Sequence, residues 1–328
     1  MRIGLVLSGG AAKGAYHVGI LKALAEHDIN VDVYSGASIG ALNAVLSASA
    51  SNIFEAHKTL ALVWEELGKD SPIKINNEAV TRYLVDAVAT LAISAPNPVV
   101  SKLASAIKLL LKHSSKASDS ALLHDQPIID KFNAFVDLKK KSEWKEVWVS
   151  TFQGSGYEAA LEFVQEELGI HGKSASYHHL NKLDDSLLLE TLLASAALPL
   201  LYQTRKIDGK THYDGGIRDN TPIKPLLNQC DICFVSHLSN GSNFNRLGLE
   251  ASNTQVIEIR PSEEFVTEDG SLAGAKAMLN FDMNKINYLS DMGYTDTCKV
   301  IKNLKDHNNI EDSIIAEDAD IEDLLNSL

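Results

Sequence analysis

The sequence predicts an α/β fold built on a parallel sheet with helices on both faces, and three observations carry that prediction. Two short apolar, β-prone runs, Ile3–Leu7 and residues 31–35, open the chain. Each leads through a glycine-containing turn into a segment of helical composition, residues 15–26 and 38–50. Strand, loop, helix, strand, turn and helix therefore follow one another within the first fifty residues, which is a βαβα unit with a parallel strand pair. Both runs are continuously apolar rather than alternating, as strands covered on both faces are.

Taken in order, Ile3-Gly4-Leu5-Val6-Leu7 is the first strand and Ser8-Gly9-Gly10-Ala11-Ala12-Lys13-Gly14 the loop leaving it. In the first helix Val18, Leu21, Ala25, Ile20 and Leu24 gather on one side, and the helix ends before Asp28-Ile29-Asn30. From about residue 52 to 136 the pattern turns mainly helical, with segments 53–67, 79–91, 99–111 and 127–135. The sheet resumes at 146–151, followed by the turn Gly154-Ser155-Gly156 and a partner strand near 161–164. His178-His179 reads as a polar loop pair, and the helix 187–197 stops at Pro199. Segments 202–207 and 211–213 flank Asp208-Gly209, a hairpin signal. Thr221-Pro222 reads as an N-cap and first-turn proline of a further helix. Residues 231–237 and 255–260 are apolar strands, and 273–303 is mostly helix. No repeat or low-complexity linker divides the chain. The expectation is one domain, 1–310, with a helical insertion at about 52–136 and an acidic tail, 311–328.

Composition narrows the function. A chain of 328 residues can bury a full core, and 45% hydrophobic with 22% charged residues is ordinary for a soluble globular protein. A net charge of −13 argues against nucleic acid, whose phosphates require a basic excess. Glu311, Asp312, Glu317, Asp318, Asp320, Glu322 and Asp323 concentrate that acidity in the tail, read as solvated. Cys230, Cys233 and Cys298 make no disulfide framework and suit a reducing compartment. Cys230-Asp231-Ile232-Cys233 has CxxC spacing but no second pair, and reads as two buried thiols at a strand start. The opening apolar run is too short for a signal-peptide core, and no stretch reaches 18 apolar residues. A cytoplasmic protein with at most peripheral membrane contact is expected.

The chemistry gathers at strand ends. Gly36-Ala37-Ser38-Ile39-Gly40 is a GxSxG nucleophile elbow in the strand–turn–helix setting that this motif requires. Gly36 and Gly40 let the backbone turn sharply beside the serine. The glycine loop is not GxGxxG, because Gly9 and Gly10 are adjacent, and not a P-loop, because Lys13 precedes Gly14 with no Ser or Thr after it. Its amides suit an oxyanion hole, and parallel strands put it on the same sheet edge as Ser38. A serine nucleophile needs a base. None of the eleven histidines sits in a motif that marks it as one. Asp214-Gly215-Gly216, at the end of a short strand, holds a carboxylate in a tight turn instead.

Together Gly9-Gly10-Ala11-Ala12-Lys13-Gly14, Gly36-x-Ser38-x-Gly40 and Asp214-Gly215-Gly216 resemble the patatin-like phospholipases, over residues 1–50 and 190–237. The small-residue stretch Ala194-Ser195-Ala196-Ala197 adds to that likeness. The resemblance implies a three-layer α/β/α sandwich around a central, mostly parallel sheet. It implies Ser38 as nucleophile, Asp214 as its base without histidine, and an oxyanion hole at Gly9, Gly10, Ala11 and Ala12. Gly36, Gly40, Lys13, Gly14, Gly215 and Gly216 would support them. Lys13 departs from the arginine more usual in the family, losing a bidentate grip on phosphate. The implied activity is hydrolysis of phospholipids or other acyl lipids, with no metal or other cofactor. Two alternatives are an idle lipid-binding protein on the same scaffold and a Ser-His-Asp carboxylesterase using, for example, His237. The latter fold usually places several strands before its elbow, and here only one precedes it. Between Asp86 and Asp119 there is no acidic residue, and Lys102, Lys108, Lys112 and Lys116 thread an apolar pattern. Peripheral membrane contact is therefore expected through residues 99–116.

Overall fold

The computed structural model describes residues 1–74, 76, 121, 123–155, 174–199, 201–239, 248–265 and 279–326, the last twenty as helix backbone. In chain order these form β1 (Ile3–Leu7), α1 (Tyr16–Glu26), β2 (Val33–Gly36), α2 (Ile39–Ala48), α3 (Ile53–Lys69) and α4 (Gln126–Phe135). Then come β3 (Glu146–Gln153), β4 (Ser176–His179), α5 (Asp185–Ser195), β5 (Arg205–Ile207), β6 (Lys210–Asp214), β7 (Ile232–Ser236), β8 (Gln255–Ile259) and α6 (Met283–Asn326). The segments expected at 79–91, 99–111 and 161–164, and the lysine-bearing stretch 99–116, lie outside the described residues.

The sheet runs β5-β6-β3-β2-β1-β7-β8, with β4 paired to β3 as well. Strands β3, β2, β1, β7 and β8 are mutually parallel, and the hairpin β5–β6 and strand β4 add antiparallel to β3. This is the mostly parallel α/β sheet that the sequence predicts. Alternate strand residues divide two cores. Leu5, Leu7, Tyr34, Val147, Val149 and Phe234 pack with apolar residues of the six helices. Val6, Val33, Cys233 and Val235 face the other way, onto Ile223, Leu226 and Cys230. The two thiols expected to be buried are buried and free.

The register of β3 positions the site. Trp148 and Val149 pair with both β2 and β4, so those strands occupy opposite edges of β3. Thr151 pairs with both β4 and Asp214 of β6, so β6 lies on the same edge as β2. Strand β2 stops at Gly36, opposite Val149, and β6 takes over that edge two residues further on. The end of β6 is thereby delivered next to the turn that follows Gly36. Strand β3 extends to Gln153, past the expected 151, and that overhang is what β6 pairs with.

Other elements differ from expectation for local reasons. No helix starts at Pro222. Pro225 removes the next backbone donor, and the segment makes only the 3-10 turn Lys224–Leu226. His178 and His179 are not loop residues but end β4. The Thr151 hydroxyl bonds His178 Nε2 at 2.8 Å, and Trp148 stacks on His179 at 4.5 Å between ring centroids. The hairpin at Asp208-Gly209 forms as read, with φ of 49° and 74° in its turn. Of the helix expected at 273–303, residues 273–278 lie outside the described residues; α6 runs from Met283 and continues across residue 310.

The elbow itself is packed without slack. A Cβ on Gly40 would stand 2.0 Å from the Leu7 carbonyl oxygen, whereas one on Gly209 would meet nothing within 4 Å. Gly40→Ala is therefore expected to lower unfolding free energy by about 3 kcal/mol or more, with no flexible side chain able to yield. Gly209→Ala carries only the positive-φ cost of about 1 kcal/mol. Chemical denaturation of the two variants checks the contrast.

Candidate active site

Ser38 stands between β2 and α2 with φ 54° and ψ −128°, a backbone conformation that disfavours any residue with a Cβ. The surroundings impose it. The Ala37 amide donates to the Leu7 carbonyl at 3.3 Å, and the Ser38 amide donates to the Ser195 carbonyl at 3.0 Å and to its Oγ at 3.2 Å. Ser38 is the N-cap residue of α2, where a serine hydroxyl ordinarily accepts from its own helix. Here the side chain makes no cap hydrogen bond. Its hydroxyl is left for something else.

That something is Asp214, 1% exposed beside a Ser38 that is 9% exposed. The Asp214 amide donates to the Ala197 carbonyl at 3.0 Å, and its Oδ1 accepts the Gly216 amide at 2.7 Å. Oδ2 is buried and has no partner in full hydrogen-bond geometry. Burial pushes the carboxyl up to about 7, against the lowering influence of the Ser38 hydroxyl and the Gly216 amide. The Ser38 hydroxyl thus lies within electrostatic reach of the carboxylate without being aligned on it, as is common before substrate binds. A carboxyl titrating near neutrality can take and return a proton.

The glycine loop meets the same point. A Cβ on Gly9 would stand 2.9 Å from Ser38 Cβ and 2.3 Å from Asn220 Oδ1, so only glycine allows this approach. The Gly9 amide donates to the Asn220 carbonyl at 3.2 Å, and Asn220 Nδ2 donates to the Gly9 carbonyl at 3.0 Å. The donors left in the loop therefore begin at Gly10. Lys13 N–H to Gly10 O, at 3.1 Å, is the first bond of the 3-10 turn Ala11–Ala15, so the amides of Gly10, Ala11 and Ala12 have no partner within it. The Ile39 amide, at the start of α2, is placed likewise. At its far end the loop is pinned by Asn43, whose Nδ2 donates to the Gly14 carbonyl at 3.1 Å.

Ser38, Asp214, Gly9, Gly36, Gly40, Gly215 and Gly216 are thus brought together. Gly215 packs on Ser150, and Gly216 sits against Asn220 and Asp214. Lys13 turns elsewhere: its ammonium lies over the Phe265 ring at 5.8 Å, and burial lowers its pKa while Glu264 raises it. His237, the base of the rival reading, is fully buried, with Nε2 3.0 Å from Glu258 on the edge strand β8. Sequence reasoning passed over Asn220, which joins the glycine loop to the aspartate turn, and Ser195, which holds the elbow amide. An Asn two residues before Pro222 and a serine in an alanine-rich helix end carry no local signal of such contacts. Among the described residues no group of three or more His, Cys, Asp or Glu side chains could hold a metal ion.

Comparison with known proteins places these features. The family model for patatin-like phospholipase matches residues 5–227. The neuropathy target esterase sws of Drosophila melanogaster is 57% identical over 51 residues, and that of Drosophila persimilis 55% over 51. Each match covers 16% of this chain and 4% of the relative, so the chain spans a small part of those proteins' length. VipD from Legionella pneumophila aligns over 88% of this chain and 67% of its own, at 16% identity and a TM-score of 0.37. ExoU of Pseudomonas aeruginosa, solved with SpcU, aligns over 91% and 52%, at 16% identity and a TM-score of 0.33.

The raised Asp214 carboxyl has two pH consequences. A carboxyl can accept a proton only when ionised, so any ester turnover that used Asp214 as a base would rise with pH through about 7. For stability the sign is opposite. The fold favours the protonated acid, so the penalty of the buried charge is absent below the ordinary carboxyl pKa and complete above about 7. Asp214→Asn should therefore melt close to the wild type at about pH 4 and above it at about pH 8, by an amount on the order of a few kcal/mol. Thermal melts across that range check it.

Proposed function

The chain belongs to the patatin-like phospholipase family, and from that premise we propose that it is a lipid acyl hydrolase of the phospholipase A or lysophospholipase type. The observation that carries this reading is a completely buried Asp214 beside a strained Ser38 whose hydroxyl does not cap its own helix. In the proposed cycle Ser38 Oγ attacks the ester carbonyl while Asp214 Oδ2 accepts the hydroxyl proton. The oxyanion that forms is met by the amides of Gly10, Ala11 and Ala12, with Gly9 letting the loop approach, and each such donor is worth about 3 kcal/mol in the transition state. Helix α2 directs the positive end of its dipole at the same atoms. Collapse expels the alcohol, which takes the proton back from Asp214, and leaves an acyl group on Ser38. Water then gives a proton to Asp214 and attacks the acyl carbonyl. Release of the fatty acid returns that proton to Ser38.

The lipid source points to a membrane surface. Among the described residues no helix is long and apolar enough to cross a bilayer. The reading is peripheral contact, supported by the run of Lys102, Lys108, Lys112 and Lys116 through apolar positions free of acidic residues.

Ser38→Ala and Asp214→Asn are each expected to lower fatty-acid release from mixed phospholipid vesicles by at least about a thousandfold while leaving the fold intact. Mass spectrometry of the products and circular dichroism of the variants check both halves; turnover retained in Ser38→Ala excludes the mechanism. Replacing the four lysines by Glu should weaken binding to anionic vesicles in a flotation assay and spare hydrolysis of a soluble short-chain ester. Unchanged flotation excludes residues 99–116 as the docking segment.

A further inference from the structure

A buried hydroxyl stands beside the proposed base and is turned away from it. Thr151 of β3 lies directly opposite Asp214 of β6 in their antiparallel ladder. Residues paired in this way point to the same face of the sheet, with Cβ atoms about 5 Å apart. Thr151 is fully buried, and its Oγ1 bonds His178 Nε2 of β4 at 2.8 Å and His212 Nδ1 of β6 at 2.9 Å. His212 is two residues before Asp214 on one strand, so it shares that face. The two imidazoles meet edge to face, with ring centroids 5.6 Å apart.

A count of hydrogens shows what this leaves for Asp214. A threonine hydroxyl has one proton to give. If both facing ring nitrogens carried hydrogen, that proton would need another acceptor, and Asp214 Oδ2 has no partner in full hydrogen-bond geometry. A buried hydroxyl hydrogen without an acceptor is disfavoured. One ring nitrogen therefore donates to Thr151 Oγ1, and the other accepts its proton. Burial pushes His212 down to about 4, with His178 and Lys210 lowering it further and Asp208 raising it. Burial also lowers His178, against Asp208. Both rings are thus neutral at pH 7 and above. The other groups facing the Asp214 carboxyl are the Gly216 amide, 2.7 Å from Oδ1, and the Ser38 hydroxyl.

We infer that His178 and His212 are positioning residues that hold the Thr151 proton away from Asp214 and leave its carboxylate one donor short. The inference rests on the hydrolase reading above and adds to it the residues that keep its base basic. A hydrogen bond to an ionised carboxylate favours the charged form. A carboxylate so stabilised would take the serine proton less readily.

The test follows the Asp214 carboxyl by carbon-13 NMR against pH, assigned by its loss in Asp214→Asn, beside pH profiles of kcat/KM for a p-nitrophenyl ester. The wild type should titrate near about 7. His178→Phe with His212→Phe leaves the hydroxyl no ring nitrogen, and the midpoint should fall by about one pH unit as Thr151 turns to Asp214. Adding Thr151→Val to that pair should return the wild-type midpoint. His178→Gln with His212→Asn, whose amides reach the same points, should keep it there. A packing role alone would lower the melting temperature and leave the midpoint in place. A Phe pair that titrates like the wild type, or a shift that survives Thr151→Val, overturns the inference. If the Phe pair does not fold, the wild type decides. Its nitrogen-15 spectra at about pH 8 should show hydrogen on only one of His178 Nε2 and His212 Nδ1, and hydrogen on both overturns the inference. Ester turnover with an unmoved midpoint keeps the hydrolase reading and rejects the role of the histidines. A folded wild type that turns over no ester, with a midpoint that moves as stated, does the reverse.

Discussion

The edge of β3 left open where β2 ends is the constraint on which the site depends. Strand β6 pairs there antiparallel, beyond Val149 where β2 no longer occupies the edge, and this puts the last residue of β6, Asp214, beside the turn leaving β2. The carboxylate arrives in a fully buried position, its Oδ1 held by Gly216 and its Oδ2 unpartnered. Water would solvate the charge far better than this site does, so ionisation is shifted toward neutrality. Ser38, meanwhile, occupies a backbone conformation worth about 1–3 kcal/mol of strain. Both features are costs to the folded state. Both sit at one point, where the proposed proton transfer from the Ser38 hydroxyl would use the raised carboxyl.

The surrounding contacts explain how that cost is borne. Gly40 lies against the Leu7 carbonyl, Ala37 donates to the same carbonyl, and Ser195 receives the Ser38 amide, so the elbow is held from β1 and from α5 at once. Asn220 makes two hydrogen bonds to Gly9 and touches Gly216, tying the glycine loop to the aspartate turn. Three segments far apart in sequence are thereby linked at one point.

Much of this was legible in the chain. GxSxG between an apolar run and an alanine-rich segment points to a strand–turn–helix once the glycine loop and Asp214-Gly215-Gly216 accompany it, and the close approaches at Gly36 and Gly40 show why glycine stands there. The hairpin at Asp208-Gly209 was legible for the same reason: its turn needs positive φ, which Asp and Gly accept. What could not be read was register. Nothing in residues 146–153 announces that β3 outruns β2 by enough to accept β6, and Ser-Tyr-His-His has no apolar alternation to mark it as β4. Its pairing comes from Thr151 and Trp148 on the neighbouring strand. Asn220 and Ser195 were hidden in the same way, since their partners are 211 and 157 residues away.

The most direct measurement is the position of the covalent adduct left by a fluorophosphonate, mapped by tandem mass spectrometry of the digested protein and timed in wild type, Asp214→Asn and His237→Gln. The account predicts one adduct, on Ser38, forming at least about a hundredfold more slowly in Asp214→Asn and at the wild-type rate in folded His237→Gln. An adduct on another residue, or a rate that depends on His237 and not on Asp214, would contradict it.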